Sequence, residues 1–463
     1  MVRRRREQRS LFEMVLPDGD KLWPEDLRRI DEALDDDELV ETIAVAQEKR
    51  WPNSGTRGRN GTPAEVVLRM LVLKHLYDWS YDELEFQVRA NIVYRLFSRV
   101  GDEEVPDAKT ILKIARTLDA GVIESLHRQV VKRAARSGVS KGRRMRVDTT
   151  VVEPNVHHPT DSGLMRDGTR GIGRTIGQVE ALIGPGRKPL RHYRRSVERR
   201  ALRIRMLARH IKWRDQKADE YRKLVLITCA VLRQGQTVAW RLAARIRRGT
   251  DASPIRAQLQ RAHAKIRRIY PLLERVVDQT KQRVFGGNTH LSDKVLSLFE
   301  PHPEVIRKGK IAKPTEFGKM VTIQEAEGGL VTAYAVQPKR AADTEVWEPA
   351  LKSHVAIFGR APYLATADRG VSSHRNEIAA HNAGVRRVCL PEKGRALARK
   401  RTIQRQRWFR EGLRWRTGCE GRISVLKRRH GMRRCLYHGL DGMHRWVGLA
   451  VITNNLLAVA RRH

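Results

Sequence analysis

Leu413, Arg416, Glu420 and Lys427 are spaced L-x2-R-x3-E-x6-K within one stretch that reads as helix. At 100° per residue, positions seven before, four before and seven after Glu420 fall within about 40° of its direction, so the four side chains share a face. A carboxylate flanked by two cations suits a metal ion beside a phosphate backbone. The bland alternative is a basic amphipathic helix that carries one solvated Glu. Two other carboxylates stand in unusual company. Asp148 interrupts the alternating run Arg144-Met-Arg-Val-Asp-Thr-Thr-Val-Val152, in which Met145, Val147, Thr149 and Val151 share one face and Arg146, Asp148, Thr150 and Val152 the other. Unpaired burial of that carboxylate would be costly, so it faces water, is paired, or binds a metal. Asp368 ends the short apolar run Ala361–Ala367 and precedes an Arg-Gly turn. A carboxylate at the C-terminal end of a strand is where α/β sheets build sites, although an Asx-turn explains a lone case.

These residues need elements to hold them. The first ~140 residues read as helices: Thr62-Pro63-Ala64-Glu65 opens one, Ser80-Tyr81-Asp82-Glu83 opens a second, and Pro106-Asp107 a third. The first two could form a DNA-reading helix-turn-helix or an ordinary helical hairpin. A strand follows at 144–152. Glycines at 168, 171, 173, 177, 184 and 186 are expected to loosen the chain. An Arg-rich helical segment then runs from about Arg191 to Gln282, its apolar residues Val197 to Ile211 and Ile255 to Val276 forming two helices able to pack as a hairpin, the second kinked or broken at Pro271. Strands are expected at 319–324 and 330–336 around an Glu327-Gly328-Gly329 turn, then a helix from Asp343, the Asp368 strand, a helix at 372–383, a strand at 385–390 and the Glu420 helix.

Composition points to a polyanionic partner. Lys and Arg number 92 against 52 Asp and Glu, a formal charge of +40, spread from Arg3–Arg6 to Arg461–Arg462. A ribosomal-type RNA binder is the structural alternative, and 463 residues are long for one. The four cysteines, Cys229, Cys389, Cys419 and Cys435, lack CxxC spacing and read as reduced thiols. No apolar run approaches the ~20 residues of a membrane span. A soluble, intracellular chain is expected, and Arg3–Arg6 is at most weak evidence for a localisation signal.

The order of strand, helical insertion, hairpin, helix, strand, helix, strand, helix is that of an α/β RNase H-like domain, interrupted after its first strand. On the residues Val147-Asp148-Thr149-Thr150-Val151-Val152-Glu153, His157-His158-Pro159-Thr160-Asp161-Ser162, Ala367-Asp368-Arg369-Gly370 and Arg416-x3-Glu420-x6-Lys427, the chain resembles a bacterial insertion-sequence DDE transposase, most like the ISNCY-type group. Arg307-Lys308-Gly309-Lys310 and Pro314-Thr315-Glu316-Phe317-Gly318 add to the likeness, which runs from about Pro52 onward. Leu413 stands where the common signature has Tyr.

The resemblance implies an RNase H-like mixed sheet flanked by helices, with an N-terminal helical domain at 1–140 that binds DNA ends. The catalytic domain at 141–463 would be interrupted by a helical Arg-rich insertion at 165–290. Asp148, Asp368 and Glu420 become the catalytic and metal-binding residues for two Mg²⁺ ions, with Mn²⁺ able to substitute. Asp148 would bridge the two ions. Arg416 and Lys427 would hold phosphates of double-stranded DNA, namely the terminal inverted repeats and the target. Implied also are a homodimer or larger assembly at synapsis, no membrane, and a cytoplasmic, nucleoid-associated protein. A metal-dependent nuclease without strand transfer and a catalytically inactive DNA-binding protein stay open. Neighbouring side chains diverge on any regular element, so His157 and His158 are not expected to bind a metal together; ordinary packing is expected, with a loop role in shaping the site or contacting DNA as the alternative.

Overall fold

The computed structural model describes residues 1–6, 19–50, 53, 58–185, 193–288, 290–291, 293–307, 315–339, 341–392 and 398–461. Pro52, Gly186, Arg191, Lys308–Lys310, Pro314 and Arg462 from the readings above lie outside these. The chain divides into two compact units, Met1–Asn155 with Gly318–His463, and Val156–Phe317.

The first unit is built on a mixed sheet, and the chain is α/β. Its strands are β1 (Arg144–Pro154), β3 (Thr315–Ala326, from Gly318 on), β4 (Val331–Val336), β5 (Leu364–Ala367), β6 (Arg387–Cys389) and β7 (Arg434–Cys435); β2 (Glu304–Arg307) belongs to the second unit. β1 pairs antiparallel with β3 and parallel with β5, β3 pairs with β4, β5 with β6, and β7 with the far end of β1. The hairpin between β3 and β4 turns at Gly328 and Gly329, both at positive φ, where a Cβ would be strained. At Gly318 a Cβ would collide with the Val152 carbonyl, so this glycine permits the close pairing of β3 on β1.

Alternation on β1 sorts its residues as the sequence expects. Met145 and Val147 are buried against Trp347, Ala365 and Ala367 on one side of the sheet. Val152 lies on the opposite side, with Val321, Ile323, Leu426 and Trp446. Asp148 shares that second face and meets the C-terminal helices. The helices Glu25–Leu34, Ala64–Leu76 and Ala120–Arg136 form one core with Leu449, Ile452, Leu456 and Val459 of the helix Gly439–Ala460. Ala64–Leu76 is buried from Ala64 to His75, whereas Tyr81–Ala90 buries only Leu84 and Val88. Ser80 caps the latter by accepting from Glu83 N at 3.0 Å.

Arg3–Arg6 is not a free basic tag. Arg3 pairs with Glu103, Arg4 with Glu41 and Glu48, Arg5 with Asp35, Asp37 and Glu65, and Arg6 with Asp102. The cluster is an internal clasp between the first residues, the helices Asp37–Arg50 and Ala64–Leu76, Asp35 just after the helix Glu25–Leu34, and the Asp102–Glu103 turn.

The second unit corrects three expectations. Most of the glycine-rich stretch is a helix, Asp161–Ile183, in which two of the glycines are packing positions: a Cβ on Gly168 would strike Leu273 and Leu298, and one on Gly171 would crowd Ile269, while Gly173 and Gly177 face open space. Helix Ser253–Thr280 runs continuously through Pro271, its buried residues extending from Leu259 to Val277 on both sides of the proline. Helices Arg194–Leu207 and Ser253–Thr280 do not make a two-helix hairpin. Each packs on Asp161–Ile183 and on the 35-residue helix Arg214–Arg248. The first of them ends at Leu207, so Ile211 is 91% exposed. No helix among the described residues is long and apolar enough to cross a membrane.

Buried imidazoles make the first unit sensitive to acid, His75, His354 and His430 as well as His127. His127 on Ala120–Arg136 donates from Nε2 to the Val331 carbonyl at 2.9 Å, and burial lowers its pKa to about 4. The unfolded chain takes up this proton near pH 6.5 and the folded chain does not, so stability falls as pH drops from about 6.5 toward 4. That loss should reach on the order of 2–3 kcal/mol in urea titrations across this range, and His127→Gln should flatten the slope.

Candidate functional site

The helix Arg407–Arg429 presents three directions, and each has a separate task. Phe409, Gly412, Cys419 and Leu426 are buried and seat it on the sheet. Gly412 is needed there, since a Cβ would crowd Cys389 Sγ at 2.8 Å. On one flank of that stripe lie Arg416 and Glu420, and on the other Trp415, Gly418 and Arg422.

The Glu420 flank carries the candidate chemistry. Arg416 lies between two carboxylates, its Nη1 3.7 Å from Asp368 Oδ1 and its Nη2 3.5 Å from Glu420 Oε1. Its side chain is 18% exposed, while those of Asp368 and Glu420 are each 60% exposed. These are long, loose ion pairs at a solvent-facing edge, where one guanidinium is shared by two anions. Asp148 reaches the same region by strand register: Val147 pairs with Ala367 in the parallel β1–β5 ladder, so Asp148 and Asp368 are the next residues along neighbouring strands. Asp148 Oδ1 accepts from Thr149 N at 2.7 Å. Its charge is also felt by Cys419, the residue before Glu420, whose thiol is pushed well up by burial first and then by the negative charges of Glu325 and Asp148. Lys427 lies seven residues beyond Glu420 on the same helix, half-buried. Leu413 is half-buried, one turn before Arg416. Gly370, in the turn after Asp368, abuts the Asp343 carboxylate, which would be 2.6 Å from a Cβ there.

Asp148 and Asp368 therefore follow paired residues on two interior strands of the sheet, and Arg416 links Asp368 to Glu420. They do not form a closed metal cage in this arrangement: among the described residues no group of three His, Cys, Asp or Glu side chains is close enough to hold an ion. Arg416 fills the gap between two of the three. The donor set itself, carboxylate oxygen throughout, suits a hard divalent cation. His157 and His158 are exposed and belong to the second unit, where the His158 ring meets Phe317 edge-on at 5.3 Å.

The other flank holds residues that sequence reasoning passed over. Glu325, fully buried on β3, accepts from Arg146 Nε at 2.9 Å, with Arg146 Nη2 2.7 Å from its other oxygen. Arg422 Nε donates to the same carboxylate at 3.3 Å, and Arg422 Nη1 donates to Asn454 Oδ1 at 2.9 Å. Arg146 also donates to the Trp415 carbonyl and lies over the Trp415 ring, 4.7 Å from its centre. A Cβ on Gly418 would collide with that guanidinium, which explains a glycine inside the helix. Gly421 has open space in its place. The available signal was an acidic residue in the apolar run of β3, opposite Arg146 in the β1 alternation.

Two family models match the chain. One, described as Transposase domain (DUF772), matches residues 14–117, and the other, described as Transposase DDE domain, matches residues 380–460. The second match spans Arg416, Glu420 and Lys427. No curated protein and no solved structure matches. Both descriptions are of transposase domains, and together the two matches support an insertion-sequence DDE transposase.

Differing exposure makes the two carboxylate groups separable. Asp368→Asn and Glu420→Gln should each leave the unfolding free energy from urea titration within about 0.5 kcal/mol of the parent, because the side chains are solvated. Glu325→Gln should cost about 3–5 kcal/mol, because it leaves two guanidinium groups at a buried site without their anion.

Proposed function

We propose that this DDE transposase cuts DNA at the ends of an insertion sequence of the ISNCY type and joins the freed 3′-hydroxyls to target DNA, on an RNase H-like domain. What supports this reading is that Asp148 and Asp368 succeed paired residues on parallel strands and that Arg416 links Asp368 to Glu420. The strand order and the acidic residues on the first strand, at the end of the strand beside it and on the helix Arg407–Arg429 beyond β6 support the fold assignment.

Asp148, Asp368 and Glu420 would hold Mg²⁺, which when bound polarises phosphate oxygens and stabilises the leaving alkoxide. Arg416 has two roles in this account. Before DNA arrives it neutralises Asp368 and Glu420, and on binding it turns to a backbone phosphate as a bidentate fork. Lys427 adds a point charge along the same face. In the first step a water oxygen bonds to phosphorus and the P–O3′ bond breaks, leaving a 3′-hydroxyl on the element. In the second step that hydroxyl loses its proton and bonds to a target phosphorus, while the target's own P–O3′ bond breaks. No covalent enzyme intermediate or nucleotide hydrolysis is needed.

Residues 1–140 are assigned to end recognition and the Arg-rich 165–290 helices to backbone contact along the duplex. Two ends must be held together, so a dimer or larger assembly performs the reaction.

The decisive assay supplies a precut end, a plasmid target and Mg²⁺. Joined product should form with the parent chain and fall at least 10³-fold in Asp148→Ala, Asp368→Ala or Glu420→Ala, with DNA binding retained. Cutting of unrelated DNA without any joining would favour a nuclease on the same fold, and retained joining in the variants would remove these residues from the chemistry.

A further inference from the structure

A cavity of about 490 Å³ opens in the first unit beside the starts of the helices Tyr81–Ala90, Ala108–Ala115 and Gly439–Ala460. It shares no lining residue with the Asp148, Asp368 and Glu420 group. Lys74 lines it and is 2% exposed, its Nζ 4.5 Å from the centre of the Trp446 ring, 5.1 Å from Tyr81 and 5.6 Å from Tyr437. An ammonium group over three aromatic rings is partly stabilised by them, yet the rings supply no hydrogen-bond acceptor of the ordinary kind. Among the described residues no oxygen lies within hydrogen-bonding or ion-pair distance of this Nζ; Asp78 acts on it only from farther away. The Nζ group lines the open cavity, so an atom that enters the cavity, from water or from a ligand, is what can accept from it.

The lining carries four Lys or Arg residues, Lys74, Lys109, Arg116 and Arg445, against one carboxylate, Asp82. Arg116 is exposed and Arg445 half-buried, and both lie near enough to Tyr81 to act on its hydroxyl electrostatically. Tyr81 and Tyr437 join through their hydroxyls at 2.5 Å, with rings inclined by only 15°. Leu112 and Leu436 supply an apolar wall, Leu436 being 48% exposed. An inorganic anion would satisfy the arginines and leave the apolar part empty. A purely apolar ligand would do the reverse.

We infer that this cavity binds a nucleotide, its phosphate held by Arg116 and Arg445 and its base lying in the aromatic and leucine-lined part, where a ring nitrogen or carbonyl accepts from Lys74. The volume fits one such unit, and base on aromatic or aliphatic surface is favourable whatever the base. The nucleotide comes either from solution or from the unpaired end of a DNA strand. The assignment is independent of the reading of the carboxylate site.

Calorimetric titration of the full chain tests it, with 5′-AMP, inorganic phosphate and a 5′-phosphorylated single-stranded hexanucleotide as separate probes. AMP should bind at least 10-fold more tightly than phosphate. Arg116→Gln with Arg445→Gln should weaken AMP and hexanucleotide at least 10-fold, with the thermal midpoint and the affinity for blunt duplex DNA unchanged. Lys74→Met should weaken AMP more than phosphate; because Lys74 is buried, the surface double variant decides the matter if Lys74→Met fails to fold. Hexanucleotide binding 10-fold tighter than AMP identifies a strand end as the source, and equal affinities identify the free nucleotide. Phosphate binding as tightly as AMP, no binding of either nucleotide probe at millimolar concentration, or unchanged affinity in the double variant would each overturn the inference.

Discussion

The arrangement of the candidate site depends on a single buried carboxylate. Glu325 lies inside the sheet with no exposed surface, and its charge is tolerable only because Arg146 and Arg422 both reach it. Arg146 comes from β1, two residues before Asp148, and Arg422 comes from the helix that carries Glu420. One anion therefore clamps the first strand to that helix and, through Asn454, to the last helix as well. Hydrophobic burial could hold these elements together, but it is nondirectional. A hydrogen-bonded carboxylate between two guanidinium groups fixes rotation and register, which a site of converging oxygens requires.

The same helix thus serves opposite electrostatic purposes on its two flanks. Toward Glu325 the charges are buried, closely paired and immobile. Toward Asp368 they are exposed and loosely paired at 3.5–3.7 Å, so that Arg416 can exchange its partners at little cost. Cys419 lies between the flanks and registers both, its thiol held protonated by burial and by Glu325 and Asp148. The clasp at Arg3–Arg6 is consumed within the protein, so the basic surface available to DNA must be sought on the helices of the second unit and around Arg416 and Lys427.

Sequence reading succeeded where local pattern and tertiary role coincide. Alternation in β1 assigned Asp148 to its face, the Gly328-Gly329 turn located the β3–β4 hairpin, and helical spacing put Arg416 beside Glu420. It failed where a residue's reason lies in a distant neighbour. Gly168 and Gly171 look like loop formers until Leu273 and Ile269 are seen against them. Pro271 looks like a break until the buried stripe on both sides of it holds the helix together. The helix Arg214–Arg248 went unread as a separate element within a uniformly basic stretch, and Glu325 lay one residue beyond the expected end of its strand. Arg3–Arg6 illustrates the same limit, since nothing local reveals that acids between 30 and 100 residues away await each guanidinium.

The central claim is that Asp148, Asp368 and Glu420 form one centre for a divalent cation, with Arg416 standing in for positive charge until that cation and DNA arrive. Mn²⁺ binding to the full chain, followed by the paramagnetic signal of the free ion with a short duplex present, addresses it most directly. Binding should be lost or weakened at least 10-fold in each of Asp148→Asn, Asp368→Asn and Glu420→Gln, and strengthened in Arg416→Gln. Equal Mn²⁺ affinity in the parent and in all three carboxamide variants would contradict the account.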